Sequence, residues 1–453
     1  MKESKPARYE STMQQQTAIE VTIYNQNLGL IKDQREVKLP EGLVEFDLID
    51  IAKNIEVPTA FCHSITAPDK LSILEQKCGF EWIEPERLLN QYTGKEVRIY
   101  RKNLLKDKIE PVTVTLLYNG KEGILYQDGD EIILSAPTQI IFPNISQNIV
   151  AKPAITWLFQ NDHSSPQTIE TIYLARGISW NADYHMILNP EESEAEIYAW
   201  ATINNDSGID FVNANLKLVA ADINLSSSHD IDDADYCRSP ESQFMEESFA
   251  DSHSYFFGRQ TTLKNGEKKQ IGLLHSGNVN ICKEYRLSGG SLLNILDEID
   301  VSGSEDVTVH YKINNNKSCG LGLPLPKGTV HAYKKSGNRD IQFIGRDEIG
   351  HLPVNESTTV KLGAAFDVKT TRIRKDFKKL SGKFYEAAFD IIIRNHKKED
   401  VMIRILEPID SQWEIVKSSH EFARINSDWV ECNLSVESDK EITLAYRIRS
   451  KEE

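Results

Sequence analysis

The sequence predicts a mainly β protein: antiparallel β-sandwich modules of immunoglobulin-like design, preceded by a small N-terminal β-rich domain. Three observations lead there. Apolar and polar residues alternate with period two along much of the chain, as in Ile19-Glu20-Val21-Thr22-Ile23-Tyr24, the pattern of a strand with one buried face. Asn, Asp, Gly and Pro punctuate these runs as turn signals. After Lys152 one theme occurs four times: an alternating strand ends in Asn and polar residues, turns, and returns. Short turns between alternating strands are what antiparallel sheets with one wet face require.

Length and charge narrow the classes. A chain of 453 residues exceeds one comfortable core, so several domains are expected. A net charge of -16 opposes nucleic-acid binding, which needs a basic surface. No run approaches the roughly 20 apolar residues of a spanning helix, so membrane insertion is not expected. The polar start Met1-Lys2-Glu3-Ser4 lacks the apolar stretch of a signal peptide. As written the chain reads as cytoplasmic, or as exported or periplasmic if a leader has been removed. Its six cysteines show no C-x-x-C spacing, so buried thiols are expected rather than a disulfide framework or zinc ribbon.

In chain order, residues 1–17 are polar and expected to form a disordered tail. Residues 18–150 make the N-terminal β-rich domain. Within it Pro85–Tyr92 reads as a short helix, opened by proline and stopped at Thr93-Gly94. Asn119-Gly120-Lys121-Glu122-Gly123 is a hairpin signal. Residues 151–286 are a β-sandwich carrying a long acidic loop, 226–254, in which Asp230, Asp232, Asp233, Asp235, Glu241, Glu246, Glu247 and Asp251 face a single Arg238; such composition favours a mobile loop. Residues 287–453 form a C-terminal β-sandwich region. Its basic stretch Lys369–Lys383 is expected as a solvated edge strand whose lysines discourage pairing. The four hairpins run from Ile155–Asn161 into Thr168–Ala175, from Tyr198–Asn205 into Ala214–Ala221, from Val307–Asn316 into Gly320–Leu325, and from Phe389–His396 into Val401–Leu406.

Several motifs carry a family resemblance: Ser179-Trp180-Asn181-Ala182-Asp183-Tyr184, Asn204-Asn205-Asp206-Ser207-Gly208, Gly322-Leu323-Pro324-Leu325-Pro326-Lys327-Gly328, Phe343-Ile344-Gly345 with Ile349-Gly350-His351, Leu362-Gly363-Ala364-Ala365-Phe366-Asp367-Val368, and Arg394-Asn395-His396-Lys397. In these the chain resembles the domain of unknown function at the C-terminal end of mucoidy-inhibitor-A-like proteins, in its shorter, coiled-coil-free form. The resemblance spans most of Ile19 to Arg449. It implies a β-rich bacterial protein, often exported, with no established reaction. Asn181, Ala364 and His331 stand where the family commonly carries Arg, so any arginine patch is weakened here.

The chemistry legible in these motifs is sparse. No P-loop, dinucleotide fingerprint or G-x-S-x-G occurs, so no catalytic residue, metal or cofactor is assigned. Asp183 and His185 share a strand face and would need another His, from His351, His396 or His420, to make a metal site. Trp180 reads mainly as a core anchor. The candidate binding residues are Trp180, Asp183, His351 and Asp367. The expected function is a non-enzymatic protein that binds a protein partner or serves the envelope. The alternatives are a hydrolase with a site at a domain junction, and a carbohydrate- or ligand-binding module with an exposed indole at Trp180, Trp413 or Trp429.

Overall fold

The computed structural model describes residues 6–79, 89–90, 92–103, 108–120, 123–135, 139–142, 154–220, 244–249, 252–289, 303–336, 340–381, 384–409 and 414–451. The chain is mainly β, with several sheets, open and sandwich-like. The alternation seen in the sequence is the physical cause: the strands Gln167–Arg176 and Phe384–Asn395 bury every second residue along their length. Two compact units result, Met1–Trp180 with Asn204–Lys268 and Asn181–Ile203 with Lys269–Glu453. These boundaries differ from the expected breaks at 150 and 286.

The first unit explains part of that difference. The strand Gly42–Ile49 pairs with Ala154–Asn161, and Leu28–Val37 pairs with Gln167–Arg176. The N-terminal strands therefore need partners from beyond residue 150. The expected tail also contributes: Ala7–Ser11 is a strand, parallel to Gly42–Ile49. It is held by Arg35, 1% exposed, whose guanidinium pairs with Asp33 at 2.8 Å and donates to the carbonyls of Ser11 and Ile49 at 2.7 and 2.9 Å. A buried arginine persists only when its donors are satisfied in this way. A five-stranded sheet between Glu96 and Ile141 keeps its own core of Tyr92, Val97, Ile99, Val114, Leu116 and Tyr126. The expected hairpin is present: Lys108–Gly120, which ends in Asn119 and Gly120, pairs antiparallel with Gly123–Asp128, and residues 121 and 122 lie outside the described residues. Of the expected helix, residues 85–88 and 91 lie outside the described residues.

The acidic loop, 226–254, lies largely outside them as well (226–243 and 250–251). Its far end is not loop: Phe244–Phe249 and Ser252–Phe257 pair as a hairpin, since the aromatics there favour a pleated surface over a coil.

In the second unit the largest sheet runs, by strand, Ile341–Ile349, Gly328–Lys335, Ile178–Leu188, Glu194–Asn205, Glu267–Ser288, Gly303–Asn314, Ser357–Lys379, Phe384–Asn395, Glu441–Lys451 and Glu414–Ser418. The basic stretch is an edge over part of its length: residues 369–372 pair on both sides, with Gly303–Asn314 and Phe384–Asn395, whereas residues 374–379 pair among the described residues with Phe384–Asn395 alone. Its charges are met across the sheet, with Arg447 to Asp376 at 2.8 Å and Lys375 to Asp390 at 3.3 Å. Arg372 turns inward and is gripped by Glu407, Glu305 and Tyr446 at 2.6–2.7 Å. Breaking such a buried pair costs roughly 3–5 kcal/mol.

The four repeated hairpins are not hairpins. In three of them the strand does not pair with the one that follows, and after Asn315 the expected return, residues 320–325, is not a strand and makes only an isolated bridge from Leu325 to Leu352. Each ends in a buried asparagine, Asn161, Asn205, Asn315 or Asn395, at most 1% exposed. Asn395 Nδ2 donates to the carbonyls of Glu399, Val436 and Glu437 at 2.8–3.1 Å, and its Oδ1 accepts from Lys397 N at 3.0 Å. Asn315 does the same with Leu323, Leu352, Pro353 and Gly322, and Asn161 with Leu39, Pro40, His163 and Gln167. Asn205 bonds Ile209, Leu263 and Ser207. Each amide ties its own turn to a second segment of the chain by donating to carbonyls of both.

Candidate functional site

The site is built by irregularity in one strand. Along Ser357–Lys379, Lys361 opposes His310, Ala364 opposes Thr308, and Lys369 opposes Asp306. From Ala364 to Lys369 is five steps against two on the partner strand (369 − 364 and 308 − 306), so three extra residues bulge out. Gly363, at φ 118°, supplies the backbone conformation that opens the bulge. Phe366 on its crest is 83% exposed, with the Lys369 ammonium 5.2 Å from its ring centre. The bulge is pinned behind, where His396 N donates to the Asp367 carbonyl at 2.8 Å.

Beside the bulge, Ser357–Lys379 packs closely against the edge strand Ile341–Ile349. A Cβ on Gly345 would stand 3.1 Å from the Leu362 carbonyl oxygen, and Lys361 N donates to Asp347 at 2.6 Å. An open pocket of about 230 Å³ is lined by both strands, through Ile344 on one and Leu362 and Ala364 to Asp367 on the other. Val309 and the buried Tyr285 and Tyr311 line it too, with Glu192, Lys283 and Lys397.

These charges are locked together. Glu192 sits in the turn between Ile178–Leu188 and Glu194–Asn205. It takes the Lys334 ammonium at 2.8 Å and bonds Lys283 as well. Burial pushes its carboxyl up, but the two lysines outweigh that and hold it below the usual range. Burial, with the charge of Glu192, pushes the Tyr311 hydroxyl well up, so it stays protonated as a donor. Burial opposes the charge on Lys397, yet Tyr285 and Glu399 raise its pKa and keep it charged.

Of the four expected binding residues, the pocket gathers one. Asp367 is on its lining, exposed. Trp180 is fully buried in the first unit; its indole donates to the Val219 carbonyl at 3.1 Å and meets the Tyr255 ring edge-on. That burial removes Trp180 as a surface platform and leaves it a core anchor. Trp429 is partly buried, and Trp413 lies outside the described residues. His351 is exposed on the loop after Ile341–Ile349, its Nδ1 accepting from Lys327 N at 3.2 Å.

Asp183 is not on the pocket's lining. It accepts from Thr202 and stands 3.9 Å from His331 Nε2. The histidine beside Asp183 and His185 is thus His331, delivered by a parallel strand in register with His185, rather than His351, His396 or His420. Burial and the neighbouring His331 lower the His185 pKa, against Asp183. Among the described residues no group of three or more His, Cys, Asp or Glu side chains converges on a metal-sized site.

The sequence did not point to Glu192, Lys283, Tyr285, Tyr311 or Lys397. One signal was available: Gly363 interrupts an alternating run, as a bulge requires. Three of the motifs quoted above, 343–345, 362–368 and 394–397, meet at this pocket.

Fold and pocket define a mainly-β protein whose described site is a strand bulge over an ion-paired pocket. The chain belongs to the family described as Domain of unknown function (DUF4139), which matches residues 169–448. No curated protein matches the chain.

Proposed function

We propose that this is a non-catalytic binding protein that engages a protein partner at the 364–368 bulge, within a bacterial envelope system of mucoidy-inhibitor-A-like type. One observation carries the reading: Phe366 is held 83% exposed at the mouth of a pocket by a dedicated three-residue bulge. An aromatic kept out of the core beside a recess is the usual form of an interface anchor. On the lining Glu192 pairs with Lys283, and Lys397 pairs with Glu399 beside it, which suits recognition more than proton transfer. Asp183 is not on its lining, which speaks against a hydrolytic pair of Asp183 with Asp367.

The test is parallel affinity capture from native lysate with wild-type and Phe366→Ser baits, read by quantitative mass spectrometry. A partner retained by the wild type and reduced roughly 30-fold by the substitution, the effect of about 2 kcal/mol at a hot spot, supports the reading. Equal recovery on both baits overturns it. Because Phe366 is exposed, the variant is expected to keep its thermal stability.

A further inference from the structure

We propose that the parallel join between Ile178–Leu188 and Gly328–Lys335 is an acid-sensitive joint, in which charging both His185 and His331 loosens the two end strands of the sheet and, with them, the pocket wall at Ile344. This does not depend on the partner-binding reading above.

Gly328–Lys335 and Ile341–Ile349 form one end of the sheet, and Ile344 on the outer strand lines the pocket. In the sheet they join the remaining strands through one parallel ladder, Ala182–Leu188 against Gly328–Lys334. Midway along it His185 stands opposite His331, and His331 stands opposite Arg346 on the outer strand. Three bases thus line up across three successive strands. The two imidazole rings stack with centres 5.6 Å apart, and the Tyr333 ring stacks on His185 at 5.9 Å. Like charges directly opposed on neighbouring strands weaken the pairing.

The acids that offset this row are few. The adjacent row across the same strands is Asp183, Thr329 and Glu348. Asp183 stands 3.9 Å from His331 and also accepts from Thr202. Glu348 is exposed and lies two strands away from His185. On the opposite flank, the acids of Glu194–Asn205 are Glu194 and Glu196, well along the strand from Thr202, and Glu196 is engaged by Tyr198, His275 and Lys335. Asp183 therefore neutralises one imidazolium, and the second is charged against the first. Burial and His331 hold the His185 pKa below its ordinary value, against Asp183. The sense follows: the neutral ring belongs to the closed ladder above about pH 6.5, and the ladder weakens as pH falls below that value.

The lysine clamps on the same strand do not share this response. Lys334 reaches Glu192 at 2.8 Å and Lys335 reaches Glu196 at 3.1 Å. Both carboxyls are held below the usual range, that of Glu196 at about 2 by bonds from Tyr198 and Lys335. They keep the end strands tethered while the imidazoles charge, so the change is a local opening.

The test is hydrogen exchange of the full chain at about pH 7.5 and about pH 5, expressed as protection factors so that the intrinsic pH dependence of exchange cancels, alongside an NMR titration of the imidazole rings. Amides of 330–334 and 343–348 are expected to lose roughly tenfold in protection at the lower pH, with a midpoint that follows the His185 ring, while amides of Phe384–Asn395 keep theirs. His185→Phe, which keeps a ring against Tyr333 and takes no proton, is expected to retain full protection at both pH values. Equal protection of the wild type at both pH values, an equal loss along Phe384–Asn395, a midpoint apart from the His185 titration, or the same acid loss in His185→Phe overturns the joint. If His185→Phe does not fold, the midpoint in the wild type decides alone.

Discussion

Single side chains decide much of this molecule. Each of the four corner asparagines joins its turn to a second segment of the chain, so truncation removes several buried hydrogen bonds at once. Asn395→Ala is expected to lower the unfolding free energy by about 2–4 kcal/mol, measured by urea titration. Asn395→Asp should cost no less, because a carboxylate cannot donate. Glu192 gives a pH signature. Its folded pKa is depressed, so its stabilisation is fully present above the ordinary glutamate value of about 4.3 and is lost as pH falls through the lower folded value. Stability measured from pH 6 to 3 should therefore fall more steeply for the wild type than for Glu192→Gln; parallel curves would remove the lysine clamp from the account. His185 has the opposite charge and the same sense. Its folded pKa is lowered, so its neutral form favours folding above about 6.5, and stability declines as pH falls below that value.

At the scale of elements, the bulge ties sequence to site. Gly363→Ala places a Cβ at φ 118°, strain of about 1–2 kcal/mol. The expected result is a loss of that size in chemical denaturation, with weaker partner capture because Phe366 is re-aimed. Alternation made nearly every strand legible, since it reports which face is buried. It does not report what a strand pairs with, and there the sequence misleads. Strand, asparagine, turn and strand look identical whether the second strand pairs with the first or leaves it; Asn161, Asn205 and Asn395 mark the second case, and after Asn315 the expected return is not a strand. The site was legible only in part for a similar reason. Asp367 and the glycine before the bulge stand within one motif. Glu192, Lys283 and Lys397 reach the pocket from a turn, a distant strand and another corner, and no local pattern joins them.

At the scale of the whole chain, the family match and the structural units have different limits. The match begins at residue 169, inside Gln167–Arg176, whose ladder partner is Leu28–Val37. The second unit draws two strands, through Asn181–Ile203, from the middle of the first unit's sequence. A fragment 269–453 therefore lacks the pair that stands between Gly328–Lys335 and Glu267–Ser288 in the sheet. It is expected to be aggregated or to show collapsed amide dispersion by NMR, whereas the full chain gives a dispersed spectrum. A well-dispersed spectrum from the fragment would show that the Asn181–Ile203 strands are dispensable. The same reasoning predicts that residues 169–448 alone leave Ile169, Tyr173 and Ala175 without the strand they pack beside.

The corner asparagines also bear on how long the folded chain lasts. Asn161 reaches carbonyls 121 and 122 residues away, and Asn395 reaches 41 and 42. Bonds across such separations close only after both loops are placed, so they belong to the late side of the folding barrier. Their loss should leave the refolding rate nearly unchanged and accelerate unfolding, by roughly tenfold for each 1.4 kcal/mol removed. The four amides then act as latches that set the lifetime of the native state against proteolysis, while contributing little to how quickly that state is reached.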